Sequence, residues 1–217
     1  MRLFLFTAVC TCFSGTASVV SAQVSAGYYN LDDITVINAM IENNGLKWTK
    51  ADPADGSYIP DDWYFIGWTK GETDLRINNL DMPGPLPTNT DVEREGALNG
   101  DLDLSKLTCL ERLDCTTNRL TSLNVSGLTA LKTLKCYANR LTSMEVSGLV
   151  NLRELDCSSN ELTTLEVSEL TELKTLNCSN NNLVSLDASE LVNLNTLDCH
   201  SNKLTSLPLT TTHSQPP

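Results

Sequence analysis

The stretch LTCLERLDCTTNRLTSLNVSG at positions 107–127 decides the fold, because the chain repeats its pattern four more times. The further copies begin at Leu128, Leu149, Leu170 and Leu191, so the period stays the same from copy to copy and no copy carries an insertion. Internal repetition at such a fixed period is typical of a solenoid, in which each repeat forms one coil that stacks on the next.

Each repeat contains the spacing L-x-x-L-x-C-x-x-N-x-L, which fits a leucine-rich repeat. In the second copy, Leu134 and Cys136 alternate with polar residues, as a half-buried strand requires. The back half of that coil, with Leu141, Met144 and Val146, is too short for a long helix, so an extended or short 3₁₀ return is expected. The predicted fold class is an α/β solenoid, a leucine-rich repeat with a parallel sheet on the concave face and an amino-terminal cap that contains a helix.

Two polar or sulfur-bearing columns recur with the same period. An asparagine follows each strand, where its amide can pair with backbone groups that the turn leaves buried, so replacing Asn160 with alanine should cost roughly 1–3 kcal/mol. Cysteine occupies an inward strand position in every copy, and a single file without histidine indicates small buried side chains rather than a metal site or a disulfide framework. The two columns are Asn118, Asn139, Asn160, Asn181, Asn202 and Cys115, Cys136, Cys157, Cys178, Cys199.

Repeats of this length with cysteine on the inward strand position, followed by L-x-V-S-G-L, resemble the internalin J type of bacterial leucine-rich repeat surface proteins. The resemblance covers residues 107–209, roughly half of the chain. It implies a secreted or cell-surface, bent solenoid that binds other macromolecules and has no catalytic activity. It implies no particular ligand and assigns no binding residues.

The segment 1–22 has the character of a signal peptide. Met1 and Arg2 precede a short apolar run, and Val20-Ser21-Ala22 is a suitable cleavage site before Gln23. A buried first helix is the alternative. Since no later apolar stretch is long enough to span a bilayer, we expect a secreted or extracellular surface protein without a transmembrane segment.

Residues 23–100 are expected to form a cap with an irregular first repeat. A helix capped by Asp32 or Asp33 would end at Gly45, with its inward face formed by Ile34, Ile37 and Ile41. A strand is predicted from Trp63 to Trp68. The order of helix, tryptophan-containing strand and coil is similar to the capping segment of plant leucine-rich repeat receptors. The tryptophans are assigned to core packing, with stacking on sugar rings as the alternative.

Within this cap, residues 77–82 align with residues 110–115 of the first regular coil, which places Leu80 in the same column as Leu113. The separation of these two leucines exceeds one period, and the excess is an insertion within Pro83–Gly96. The solenoid proper is therefore expected over residues 101–209, followed by a polar tail at 210–217.

Composition and motifs narrow the function. The chain has 15 basic and 27 acidic residues and a net charge of −12, which argues against nucleic acid and anionic membranes as partners. It lacks the common hydrolase, metalloprotease and nucleotide-binding motifs, so no catalysis, cofactor or metal is expected. The prediction is protein–protein interaction or adhesion, with a host or neighbouring-cell surface protein as partner. The alternatives are a glycan-binding adhesin and, third, a hydrolase built on the amino-terminal region.

The concave face is the candidate binding surface, because the residues that flank each inward leucine and cysteine point outward from the sheet. Tyr137 and His200 are the rings predicted there, and tyrosine is favoured at binding hot spots. The other predicted face positions, most of them small and polar, are Arg112, Asp114, Thr116, Ser158, Thr175, Asn177, Ser179 and Thr196. The residues chosen as the candidate site are Thr133, Lys135, Tyr137, Glu154, Asp156, Asp198 and His200.

Overall fold

The computed structural model of the protein describes residues 28–84 and 97–208. The predicted signal peptide, most of the 83–96 insertion and the 210–217 tail lie outside the described residues. The described elements, in chain order, are α1 (Leu31–Asn43), β1 (Ile66–Lys70), β2 (Leu75–Asp81), β3 (Asn99–Asp103), β4 (Arg112–Asp114), β5 (Arg119–Asn124), β6 (Thr133–Lys135), β7 (Glu154–Asp156), β8 (Thr175–Asn177) and β9 (Thr196–Asp198).

One long sheet runs from the cap to the fifth coil. In the described part of the chain it has seven strands in the order β1-β2-β4-β6-β7-β8-β9, and neighbours from β2 onward are parallel. The prediction of one short strand per coil is confirmed. Leu80 pairs with Leu113, as the alignment predicted, and β1 runs antiparallel to β2. The inward leucines therefore form one row across the sheet: Leu80, Leu113, Leu134, Leu155, Leu176 and Leu197.

On the opposite side of the solenoid, the chain is extended in the first coils and forms turns in the later ones. Strands β3 and β5 form a two-stranded parallel sheet there. Later coils return through turns such as the one closed by the Leu149 N–H and the Val146 carbonyl, 3.3 Å apart. Extended chain and short turns with i→i+3 hydrogen bonds therefore both occur on this side, and no helix occurs there within the described ranges.

The stacked coils bury a continuous apolar core that none of them would bury alone. Leu134, Leu155 and Leu176 are completely buried, and the same core continues into helix α1 of the cap. In the last described coil, Leu197 and Cys199 are half-buried because β9 forms the edge of the sheet.

The asparagine column pairs with backbone groups as predicted. The Nδ2 of Asn160 donates to the carbonyls of Cys136 and Cys157, both at 3.1 Å, and its Oδ1 accepts the Leu141 N–H at 3.0 Å. The preceding residue, Ser159, has a φ of 53°, which turns the chain sharply out of the strand. Equivalent bonds recur in every regular coil, so the asparagines brace the turns.

Helix α1 starts earlier than the sequence analysis predicted. Its N-cap is Asn30, whose side chain accepts the N–H of Asp33 at 2.9 Å, so the prediction of Asp32 or Asp33 as the cap is wrong. Asp33 is unavailable because it is buried in an ion pair. The other end is as predicted, since Gly45 follows the helix with a φ of +61°. The predicted inward face is buried: Ile34, Ile37 and Ile41.

An ion pair joins helix α1 to the sheet. The Asp33 carboxylate is fully buried and accepts the Nε and Nη2 of Arg76 at 3.0 and 2.9 Å. It also accepts the backbone N–H of Ile77 at 2.8 Å. The hydrogen bond to Asp33 raises the pKa of Arg76 above its ordinary value. These bonds fix the helix over β2.

The tryptophan-containing strand begins later in the chain than predicted. Strand β1 begins at Ile66, because Trp63 lies in a turn where its Nε1 donates to the Thr49 carbonyl at 2.8 Å. Trp63 is 2% exposed, so core packing is confirmed for this residue. Trp48 and Trp68 are half-buried and pack against the core from its rim.

Candidate functional site: the concave face

The structure places all seven candidate residues in rows across the concave face. Thr133 pairs with Glu154, and Lys135 pairs with Asp156, so β6 and β7 carry four of them side by side. Tyr137 follows β6 and is 37% exposed. These five residues, Thr133, Lys135, Tyr137, Glu154 and Asp156, form what we call the central patch.

An ion pair organises the central patch. The Nζ of Lys135 lies 2.8 Å from Oε1 of Glu154, and both side chains are partly exposed. On the far side, Asp156 accepts from the Asn177 amide at 3.4 Å and from the Ser158 hydroxyl at 2.6 Å. The patch therefore presents a fixed positive group, two fixed negative groups and an exposed phenol ring.

Asp198 and His200 form a separate pair at the end of the sheet. The His200 Nδ1 and the Asp198 Oδ1 are 2.6 Å apart, and this hydrogen bond lowers the pKa of the Asp198 carboxyl. Strand β9 lies two strands beyond β7, roughly 10 Å away at ordinary strand spacing. The seven predicted residues are thus two groups on one face, rather than one cluster.

The prediction is wrong for three residues of the wider face. Thr116, Ser158 and Ser179 were expected to be exposed, but they are buried. Each of the three lies in a local turn, in which its backbone N–H donates to the side chain two positions earlier. Oδ1 of Asp156 accepts the Ser158 N–H at 3.1 Å. In the same way, Asn177 accepts the Ser179 N–H and Asp114 accepts the Thr116 N–H.

Sequence reasoning missed two positions that extend the face into the cap. Asn79 of β2 pairs with Arg112, and Asp81 pairs with Asp114, so both continue the concave rows. Arg112 in turn lies 3.8 Å from Asp114. The alignment of residues 77–82 with the first coil carried the signal, because it assigns both residues to outward positions.

The cysteine ladder is the other distinctive feature of the repeats. The five ladder cysteines are free thiols, and four of them are completely buried. Burial raises the pKa of these four thiols, that of Cys178 to about 12. A thiol held neutral in this way is a poor nucleophile, so the ladder serves packing. Across residues 28–84 and 97–208, no group of three potential ligand side chains is arranged to hold a metal ion.

We expect the buried ladder thiols to resist alkylation in the native protein. With an ordinary thiol, the rate of labelling by iodoacetamide rises about tenfold per pH unit below the thiol pKa. Because the pKa of each buried thiol is raised, its labelling should stay slow from pH 7 to pH 9. Peptide mapping by mass spectrometry measures each site. Cys199 is partly exposed and should label first; rapid labelling of two or more of the others would contradict the buried ladder.

Comparisons with known proteins agree with this geometry. Residues 171–211 match a family model for two copies of leucine-rich repeats, and residues 151–173 match a leucine-rich repeat model. With the stacked coils and the row of inward leucines, these matches show that the chain has a leucine-rich repeat fold, and its column of buried thiols is an internalin-like feature of that fold. No curated protein matches the sequence.

Solved structures give the particular similarities. The functional domain of InlJ from Listeria monocytogenes, which includes a cysteine ladder, is 37% identical with a TM-score of 0.48 over 62% of this chain, and the match spans 30% of the InlJ chain. The leucine-rich repeat ectodomain of the receptor kinase SOBIR1 from Arabidopsis thaliana is 20% identical with a TM-score of 0.64, covering 84% of this chain and 99% of that one. A leucine-rich repeat protein of Leptospira interrogans is 25% identical with a TM-score of 0.32, covering 48% and 41%. The SOBIR1 match supports the fold.

Proposed function

We propose that the protein is a non-catalytic scaffold that recognises a partner protein through its concave face. The fold supports this, because leucine-rich repeat domains typically bind proteins on an extended sheet surface. The observation that carries the proposal is the central patch, where the exposed Tyr137 follows, two residues along the chain, the Lys135 of the Lys135–Glu154 ion pair. An aromatic anchor next to fixed charges of both signs can hold a partner and set its orientation.

We also propose that the protein acts outside the cell, in adhesion to a host or neighbouring-cell surface protein. The signal-like segment that ends at Ala22 supports export. No helix within the described residues has the length and apolar character needed to cross a membrane. Amino-terminal sequencing of exported material tests the proposal: a start near Gln23 supports it, and retention of Met1 contradicts it.

Replacing Tyr137 with alanine should weaken partner binding by about 2 kcal/mol or more, because truncation removes the aromatic anchor of the patch. The labelled full-length protein is first screened against an array of cell-surface ectodomains. Affinity for the strongest binder is then compared between the wild type and the Tyr137→Ala variant by biolayer interferometry.

Val150→Ala is the matched control, since Val150 is 48% exposed but lies in the turn after the second coil, away from the sheet. This control should bind as the wild type does. Equal binding by Tyr137→Ala would contradict the concave-face proposal, and loss of protein binding on changing the 83–96 insertion would move the site to the cap.

A further inference from the structure

Two neighbouring clefts lie on the cap, away from the central patch. The first has a volume of about 520 Å³ and is lined by Trp48, Tyr64, Asn79 and Asp81 among others. The second has a volume of about 430 Å³, and Tyr58 and Trp68 contribute to its wall. Tyr64 lines both clefts, so it contributes to the wall of each.

Tyr64 presents most of its surface to solvent. The residue is 88% exposed, against 37% for Tyr137 on the concave face. Its ring meets Phe65 edge-on, with centroids 6.0 Å apart at 84°, while Phe65 itself packs on Trp48 at 4.2 Å. At this exposure most of the ring surface of Tyr64 is open to solvent and can receive a flat apolar surface.

The cap also holds polar atoms that lack partners. Three buried side-chain atoms in the described residues have no hydrogen-bond partner: Asp62 Oδ1, Trp68 Nε1 and Asn79 Oδ1. All three belong to the cap, whereas the buried amides of the solenoid are paired with backbone groups. Buried polar groups without partners are rare in native proteins, and each one calls for an explanation.

Two of these atoms belong to residues that line the clefts. Asn79 lines the first cleft and Trp68 lines the second, so one acceptor and one donor lie beside the two spaces. Both atoms are covered by their neighbours. A ligand that bears hydroxyls has the kind of donor and acceptor that these two groups lack.

Strand β1 is irregular where the clefts meet. Its pairing with β2 shifts between Gly67 and Trp68, a bulge of the kind found next to binding sites. A Cβ on Gly67 would lie 2.8 Å from the Cβ of Asn79, so any other residue there would displace Asn79 from the first cleft. The absence of a side chain at Gly67 therefore keeps this wall of the cleft in place.

The side chains that line the two clefts indicate the class of ligand that they would bind. Pyranose rings have apolar C–H faces that fit aromatic rings and hydroxyl edges that fit amide, indole and carboxylate groups. Asp81 in the first cleft and Asp61 in the second disfavour an anionic ligand, as does the net charge of −12. We propose that the two clefts bind consecutive pyranose rings of a neutral oligosaccharide, one on each side of Tyr64.

The test uses the full-length protein and a panel of neutral trisaccharides built from glucose, mannose, galactose and N-acetylglucosamine. Tryptophan emission reports binding, because Trp48 and Trp68 line the clefts. At least one trisaccharide should change this emission in a saturable way at millimolar concentration or below. A trigalacturonate probe, which is anionic, should not.

Variants locate the site. Tyr64→Ala should weaken binding of the strongest trisaccharide about tenfold, and Tyr64→Phe, which keeps the ring, should restore most of the affinity. Tyr137→Ala should bind sugar as the wild type does, because the central patch is separate from the clefts. Tyr64 is exposed, so circular dichroism should show an unchanged fold in its variants.

The proposal is overturned if no trisaccharide in the panel gives saturable binding, or if Tyr64→Ala binds as tightly as the wild type. Equal weakening by Tyr137→Ala would also overturn it. These outcomes leave protein recognition by the concave face untouched, since that proposal depends on Tyr137 and on protein ligands.

Discussion

Replacing Arg76 with methionine is expected to lower the free energy of unfolding by about 3–5 kcal/mol. The carboxylate of Asp33, in the first turn of helix α1, is completely buried, and the guanidinium supplies two of its hydrogen bonds, at 2.9 and 3.0 Å. Methionine fills a similar volume but leaves the carboxylate with the Ile77 N–H at 2.8 Å. A buried charge without a counter-charge is far more costly than the loss of the pair itself.

Two further variants separate this explanation from a general loss of packing. Lys50→Met removes an exposed ion pair, in which Nζ lies 3.4 Å from the Glu42 carboxylate, and should change stability by less than about 0.5 kcal/mol. The double variant Asp33→Leu with Arg76→Met removes both charges and should recover most of the lost stability. Urea denaturation followed by circular dichroism measures all of them. A double variant as unstable as Arg76→Met would contradict the buried-charge account.

This ion pair also shows what the sequence could not reveal. Asp33 and Arg76 are far apart in the chain and meet once, so no repeat marks their contact. The sequence instead suggested Asp33 as a helix cap, because aspartate is a good N-cap and the long-range partner was invisible. Asparagine caps helices about as well as aspartate, and the tertiary contact of Asp33 leaves Asn30 as the N-cap.

The solenoid, in contrast, was predictable because its contacts recur in every repeat. Five copies in one register repeat the same choice at each position, so the row that contains Leu155 and the column that contains Asn160 follow from spacing alone. The alignment of Leu80 with Leu113 extended this reasoning into the cap. It could not give the antiparallel direction of β1, because the repeat has no counterpart of that strand.

The candidate site was predictable only where it follows from the repeat. The outward alternation of Thr133, Lys135 and Tyr137 follows from strand geometry. The burial of Ser158 does not, because it depends on a local hydrogen bond to Asp156. The two clefts around Tyr64 were out of reach, since they combine irregular segments that no pattern in the sequence brings together.

The asparagine column leads to the second large effect. Each amide is shared between neighbouring coils: the Cys136 carbonyl accepts Nδ2 of Asn139 at 3.0 Å and Nδ2 of Asn160 at 3.1 Å. Asn160→Ala alone therefore leaves the Leu141 N–H unpaired but keeps one donor on that carbonyl, for a loss of about 1–3 kcal/mol. Replacing both asparagines removes both donors.

The double variant Asn139→Ala with Asn160→Ala should therefore lose about 1 kcal/mol or more beyond the sum of the two single losses. Its additional cost comes from the Cys136 carbonyl, which becomes a buried acceptor without a partner. Asn151→Ala is the control, since Asn151 is exposed and its bond to the Thr129 carbonyl is replaceable by water. Denaturation curves of the four variants give the coupling. Strict additivity would show that the coils do not share their amides and that each turn is braced independently.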